Sequence, residues 1–342
     1  MHGLSDEEVV PGVYDDWDFE KYAGVRAINS GVVKAGAISM KHMLAALDGK
    51  FVGRDTDDRK LGRAIHCRLL EPELYRTSFM VATKCCAILG SGPNKGKQCS
   101  SSGKYCDGKR WFCGAHRQED CEPVQDYIDE SEAERIEELA DALHEHPVME
   151  LFRGECWTEL SCVWESRGVL RKCRIDRFSR SPRPRIIDLK KCLPGKGSRE
   201  DMEKAIHQHG YYRQMAGNIE AIEVLEGVTP EGIWVFIEDG PPYDVNIMPA
   251  DPQTIAIGRF ENNDIIGRFI AAQNAGKVPG YIYDRKFIRY GGLPVWYREQ
   301  CAKLGIGVES ASGTDGAGND YAEFGDDSRQ TMRAVNDSAA VD

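Results

Sequence analysis

The sequence predicts an α/β fold in which a mixed central sheet is flanked by helices, and three stretches carry that expectation. Residues 171–191, RKCRIDRFSRSPRPRIIDLKK, read as two short strands joined by a Ser/Arg/Pro turn. Residues 59–71, RKLGRAIHCRLLE, set Leu61, Ile65, Leu69 and Leu70 on one helical face. Residues 232–238, GIWVFIE, form a strongly apolar strand.

The remaining elements follow in order. Residues 1–36 read as an irregular lead-in. Residues 39–48, SMKHMLAALD, open on Ser39 as a helix N-cap. In the helix at 59–71, Gly62 implies close approach of another backbone. His66 lies four residues on, on the same side, and Pro72 ends the helix. Residues 131–146 form a helix that Pro147 stops, and 157–164, WTELSCVW, form a strand carrying Glu159. Residues 198–226 read as one long helical region containing HQHGYYRQMA. A short strand at 244–248 precedes a helix at 252–275, and VPGYIYD closes the core. The Gly/Ser/Asp-rich tail from 308 to 342 is expected to be disordered. The expected organisation is thus a main domain at 37–307, with an insertion at 85–121.

Composition narrows the class. Of 342 residues, 41% are hydrophobic and 29% charged, as in a soluble globular enzyme. No apolar run reaches membrane-spanning length, and the acidic start MHGLSDEEVVPG has no signal-peptide core, so a cytoplasmic location is expected. Net charge is −11, but the tail from 308 to 342 contributes eight acids against two bases. Residues 165–191 carry ten bases and three acids, a local basic face suited to phosphate.

That face coincides with a chemical constellation. Asp176 lies on the first strand of the 171–191 pair. Asp188 and Lys190, two apart on the second, project from the same face. Two carboxylates and a lysine at one sheet edge suit metal-assisted phosphodiester hydrolysis. The carboxylates hold a hard cation such as Mg²⁺, and the lysine orients water or steadies developing charge. Glu159 can reach the same metal. A basic, solvated hairpin would show the same residue types.

The insertion supplies a second constellation. Twelve cysteines without an export signal argue against disulfides, and six of them fall between residues 85 and 121. Cys113 and His116 form a C-x-x-H pair, with Cys86 and Cys99 upstream. Three thiolates and an imidazole favour a closed, structural Zn²⁺ site that supplies the segment's folding energy. Cys85, Cys106 and Cys121 are also available as ligands, and a four-cysteine iron–sulfur cluster is the other metal reading.

Taken together, GRAIHCRLLEPELY, ELSCVW, RIDRF, IIDLKK, YYRQMA and KVPGY resemble, in order and spacing over residues 38–285, the RecE-type exonucleases of phage and prophage. Those belong to the PD-(D/E)XK nuclease superfamily. The resemblance implies a PD-(D/E)XK fold and a Mg²⁺- or Mn²⁺-dependent exonuclease acting 5′→3′ on double-stranded DNA ends. It implies single strands fed to an annealing or recombination protein, a ring-shaped homo-oligomer, and the cytoplasm of a bacterial host. It assigns His66 as the histidine of the metal site, Asp176 as the first acidic ligand, and Asp188 and Lys190 as the (D/E)xK pair. The Leu189 carbonyl would complete the Mg²⁺ site. Gln214 matches the glutamine of the family's QxxxY helix, but position 218 is Asn, with Tyr211 or Tyr212 as substitutes. The cysteine-rich segment is an insertion outside the family's common core. An endonuclease, a RecB-like end processor, and a non-catalytic zinc-containing DNA-binding module are the alternative readings.

Overall fold

Alternation of apolar and charged side chains from 157 to 192 builds the centre of the sheet. The computed structural model describes residues 9–281 and Lys303, except 52, 54, 55, 120, 125 and 153. In chain order the strands are β1 (Gly12–Tyr14), β2 (Met80–Ala82), β3 (Tyr105–Cys106), β4 (Trp111–Phe112), β5 (Glu122–Pro123), β6 (Tyr127–Asp129), β7 (Trp157–Ser166), β8 (Val169–Ser179), β9 (Arg185–Cys192), β10 (Glu231–Glu238) and β11 (Val245–Pro249). The helices are α1 (Phe19–Gly24), α2 (Ser30–Gly36), α3 (Met40–Leu47), α4 (Asp57–Leu70), α5 (Pro72–Ser78), α6 (Glu130–Glu145), α7 (Arg199–His209), α8 (Tyr211–Glu226) and α9 (Pro252–Asn274).

The main sheet has the order β1-β7-β8-β9-β10-β11. The β9–β10 pair is parallel and the other pairs are antiparallel, so the sheet is mixed, as expected. On one face, Ile186, Phe178 and Trp234 pack with Met202 and Ile206 of α7 and Met215 and Ile219 of α8. On the other, Ile187, Leu189 and Val235 pack with Leu61 and Ile65 of α4 and Leu139 and Leu143 of α6. Both faces of β9 are therefore covered, and its charged residues Asp188 and Lys190 are enclosed rather than solvated. The solvated-hairpin reading fails on this point.

Three expectations need correction. Residues 9–36 are not an irregular lead-in. They contribute the edge strand β1 and two helices capped by Asp18 and Asn29, whose side chains accept the Lys21 and Val32 N–H groups. Buried Lys172 of β8 pins this segment: its Nζ donates to the carbonyls of Tyr22, Ala23 and Val25 at 2.8, 3.2 and 2.6 Å. The helical region at 198–226 is two helices broken at Gly210, whose left-handed φ of 72° ends α7. Gly62 faces a side chain rather than a backbone, because an added Cβ would lie 3.5 Å from Lys191 Cε. Pro72 stands just past the end of α4, as expected, and also opens α5 at the first helical position.

Contacts divide the chain after Val278. The expected boundary at 307, the acidic tail and most of VPGYIYD beyond Tyr281 lie outside the described residues. Among the described residues, no helix is long and apolar enough to cross a membrane.

Candidate active site

Three adjacent strands bring three carboxylates into one transverse row. The β7–β8 register, Thr158 opposite Arg177 and Leu160 opposite Ile175, puts Glu159 opposite Asp176. The β8–β9 register, Arg177 opposite Ile187, continues to put Asp176 opposite Asp188. The recorded β8–β9 ladder stops there, and the Leu189 N–H donates instead to Asp176 Oδ2 at 2.8 Å. The Asp176 carboxylate thus takes the place of a backbone acceptor beside Asp188.

Helix α4 adds His66 to the row. Its Nδ1 lies 2.9 Å from Glu159 Oε1 and its Nε2 lies 3.0 Å from Asp176 Oδ2. One ligand atom from each of His66, Glu159 and Asp176 falls within 4.8 Å of the others, a span a single cation can bridge. Asp188 is not in this group. Its Oδ1 accepts from Gln214 Nε2 at 3.1 Å, and Lys190 Nζ lies 2.7 Å from its Oδ2. Lys190 also sits 4.7 Å above the ring of Tyr211, which places that tyrosine beside the site. Tyr212 turns away and donates to Glu261 at 2.6 Å. Asn218 is buried, and its Nδ2 makes no hydrogen bond among the described residues. Leu189 is present through its N–H on Asp176.

The electrostatics are those of an acidic site neutralised from within. Burial opposes charge on His66, but Asp176 and Glu159 outweigh it and push its pKa up to about 10. Burial likewise works against Asp176, yet His66, Lys190 and the Leu189 N–H hold its carboxyl below the ordinary value. Burial raises Asp188 to about 6, with Lys190 working against the rise and Asp176 adding to it. Lys190 is held above its ordinary value by Asp188 and Asp176 despite burial.

These residues fit a divalent cation. The donor set is one imidazole and two carboxylates, and His66 lies between the carboxylates where positive charge is called for. Buried Asp188 Oδ2 faces the Lys190 ammonium at 2.7 Å, a position in which a cation is already accommodated. The cleft leading here has a volume of about 1320 Å³ and is lined by His66, Glu159, Arg59, Arg63, Arg174 and the 15–19 segment, among others. Asp176, Asp188 and Lys190 do not line it, and His66 and Glu159 form the contact between cleft and row.

The insertion forms a separate donor cluster. β2 and β6 pair in parallel at its root, and β4-β3-β5 form a small sheet within it. Cys85, Cys99, Cys113 and His116 converge, and Cys85 stands in the place expected for Cys86. Adjacent residues point opposite ways along an extended chain, and it is the Cys85 side chain that is buried towards Cys99 and Cys113. The separations are 3.6 Å from Cys85 Sγ to His116 Nδ1, 3.3 Å from Cys113 Sγ to His116 Nδ1, and 4.0 Å between Cys99 and Cys113 sulfurs. Ordinary Zn–S and Zn–N lengths give tetrahedral edges of about 3.8 Å between sulfurs and about 3.5 Å from sulfur to nitrogen. The cluster is compatible with zinc on both donor chemistry and size. Hydrogen bonds from the Ser101 backbone and hydroxyl also draw the Cys99 thiol down to about 7, towards the thiolate. Cys106 and Cys121 are buried elsewhere, and Cys106 packs with Ala82 and Trp111 in a small apolar core of the insertion's own.

The model of the family described as a PDDEXK-like domain of unknown function (DUF3799) matches residues 30–285. Among solved structures, a candidate exonuclease from Eubacterium rectale is 13% identical and superposes with a TM-score of 0.51, covering 84% of this chain and 98% of that one. That likeness concerns the fold. A second structure, SSO0001, is 19% identical over 37% of this chain and 59% of its own, with a TM-score of 0.23, and carries no weight. No protein of curated function matches the sequence.

Proposed function

The chain belongs to the family of PDDEXK-like domains, and from that premise we propose that it is a metal-dependent deoxyribonuclease. The observation that carries the reading is the row Glu159–Asp176–Asp188 across three strands, with His66 bridging Glu159 and Asp176 and Lys190 paired with Asp188. The sequence resemblance to RecE-type exonucleases supports the finer reading: an exonuclease working 5′→3′ from double-stranded ends. The single strands it leaves would serve an annealing or recombination protein.

His66, Glu159 and Asp176 would hold Mg²⁺ or Mn²⁺, with Asp188 joining once its oxygen turns from Lys190. Bound there, the cation supplies charge neutralisation on the scissile phosphate and a lowered pKa for an attacking water. Lys190, held charged beside Asp188, donates to the attacking water or to the phosphate oxygen that gains charge. Gln214 fixes Asp188 through Oδ1, and Lys190 pairs with Oδ2. Arg174 pairs with Glu159 Oε2 and leaves Oε1 towards His66. In the insertion, Cys85, Cys99, Cys113 and His116 would hold a structural Zn²⁺ distinct from the catalytic cation.

The test is digestion of linear and covalently closed duplex DNA with Mg²⁺ or Mn²⁺, using wild type and Asp188→Ala. Degradation of the linear form alone, lost in the variant, supports the exonuclease. Cleavage of closed circles reassigns it as an endonuclease. Equal activity of Asp188→Ala removes this site.

A further inference from the structure

We infer that the cysteine-rich insertion is a DNA-gripping arm whose basic ribbon contacts the phosphate backbone of duplex approaching the cleft. The inference rests on the DNA-cleaving reading above and deepens it. The insertion stands outside the chemistry of the carboxylate row, and three independent observations bear on what it does.

Its shape comes first. Cys85 N–H bonds to Ser101 O, Cys99 N–H to Ala87 O, and Leu89 N–H to Lys97 O, so residues 84–102 form a two-stranded ribbon. Gly92 and Gly96, with φ of 79° and 83°, turn its tip. The run from Gly90 to Gln98 is exposed throughout, and Ile88 beside it is 63% exposed. At the base, Cys85 and Cys99 of the ribbon meet Cys113 and His116. That cluster ties the projecting ribbon to the small sheet and fixes its direction.

Charge comes second. The chain holds 55 acidic residues, yet none falls between Glu73 and Asp107. That interval carries Arg76, Lys84, Lys95, Lys97 and Lys104. An acid-free, lysine-bearing, exposed ribbon in a chain of net charge −11 is complementary to a polyanion and to little else on this protein. Lys97 is steadied by Asn94 Oδ1 at 3.4 Å.

Position comes third. The insertion leaves and rejoins the domain through the paired strands β2 and β6. Ser78 and Phe79, just before β2, and Asp126, just before β6, line the active-site cleft. The arm is therefore rooted on the cleft wall that also carries His66 and Glu159.

The experiment measures affinity for a short labelled duplex by fluorescence anisotropy, without added divalent cation, across a salt series. The proteins are wild type, K95E/K97E, and K204E as a control on exposed α7. Loss of two phosphate contacts should weaken K95E/K97E about tenfold or more near 0.1 M salt and reduce the slope of log K against log salt by about 2. Zinc content and melting temperature should match wild type, KM for duplex should rise, and kcat should hold. K204E should bind as wild type. If K95E/K97E binds within twofold of wild type with an unchanged slope, the arm is wrong even where cleavage is intact. If wild type binds duplex and K95E/K97E does not, but no variant cleaves, the arm stands and the nuclease reading falls.

Discussion

Glu159 stands opposite Asp176 across β7 and β8 with a left-handed backbone, φ 52°, where its strand neighbours are extended. A side chain larger than glycine strains that conformation by roughly 1 kcal/mol or more. The strain is local to the row of acids and directs Glu159 towards His66 and Arg174.

The first prediction separates strain from chemistry at this position. Glu159→Ala keeps the strained φ and loses the carboxylate, while Glu159→Gly loses both. Glu159→Gly should therefore be more stable than Glu159→Ala by about 1 kcal/mol in denaturant melts. Both should lose cleavage by tenfold or more. Full activity of either variant would remove Glu159 from the metal site.

Much of this site was legible in the sequence, because residues two apart on a strand share a face whatever the tertiary structure. Asp188 and Lys190 were readable on that ground, and the helix at 57–70 was readable from its apolar spacing. The partner of each acid was not, because register across strands depends on long-range pairing. Nothing local says that Glu159 meets His66 and Asp176 while Asp188 meets Gln214. The helices near the N-terminus carry a local signal as well, Asp18 and Asn29 each accepting the N–H three residues on.

The second prediction concerns metal-free protein and pH. His66 is raised from 6.5 to about 10 by Asp176 and Glu159, against the effect of burial. A raised pKa stabilises the fold fully below the unfolded value and loses that contribution as pH rises through the folded one. Protein stripped of its divalent cation should therefore lose melting temperature between pH 6.5 and about 10. His66→Gln should lack that decline, and Mn²⁺ should flatten it in wild type by replacing the proton. Calorimetry in buffers of differing ionisation enthalpy should show close to one proton released per Mn²⁺ at pH 8, and none from His66→Gln.

The third prediction decides between neighbouring cysteines. Cys85 and Cys86 are equivalent by spacing, and only the ribbon's pairing turns Cys85 inward. Elemental analysis should find about one zinc per chain in wild type and in Cys86→Ser, and a large loss in Cys85→Ser and Cys113→Ser. Loss of zinc should also open the ribbon to proteolysis, since its apolar contacts are few. Retention of zinc in Cys85→Ser, or iron with visible absorption in wild type, would overturn the ligand set.

The fourth prediction follows from the enclosure of Asp188 and Lys190 between two covered faces of β9. Burial alone would favour a protonated Asp188; Lys190, 2.7 Å from Oδ2, opposes it and leaves the carboxyl at about 6. Lys190→Gln keeps a polar donor and removes the charge, so the Asp188 carboxyl should titrate above 6. A cation that needs Asp188 ionised should then bind more weakly at neutral pH and regain affinity as pH rises. Mn²⁺ affinity measured by electron paramagnetic resonance should fall off at higher pH in Lys190→Gln than in wild type. Cleavage should drop by two orders of magnitude or more even at alkaline pH, because the donor proposed to steady the phosphate oxygen is no longer charged. A merely structural lysine would lower stability without moving the pH profile of Mn²⁺ binding. An unchanged profile in a folded Lys190→Gln would show that Asp188 binds no metal, leaving His66, Glu159 and Asp176 as the whole ligand set.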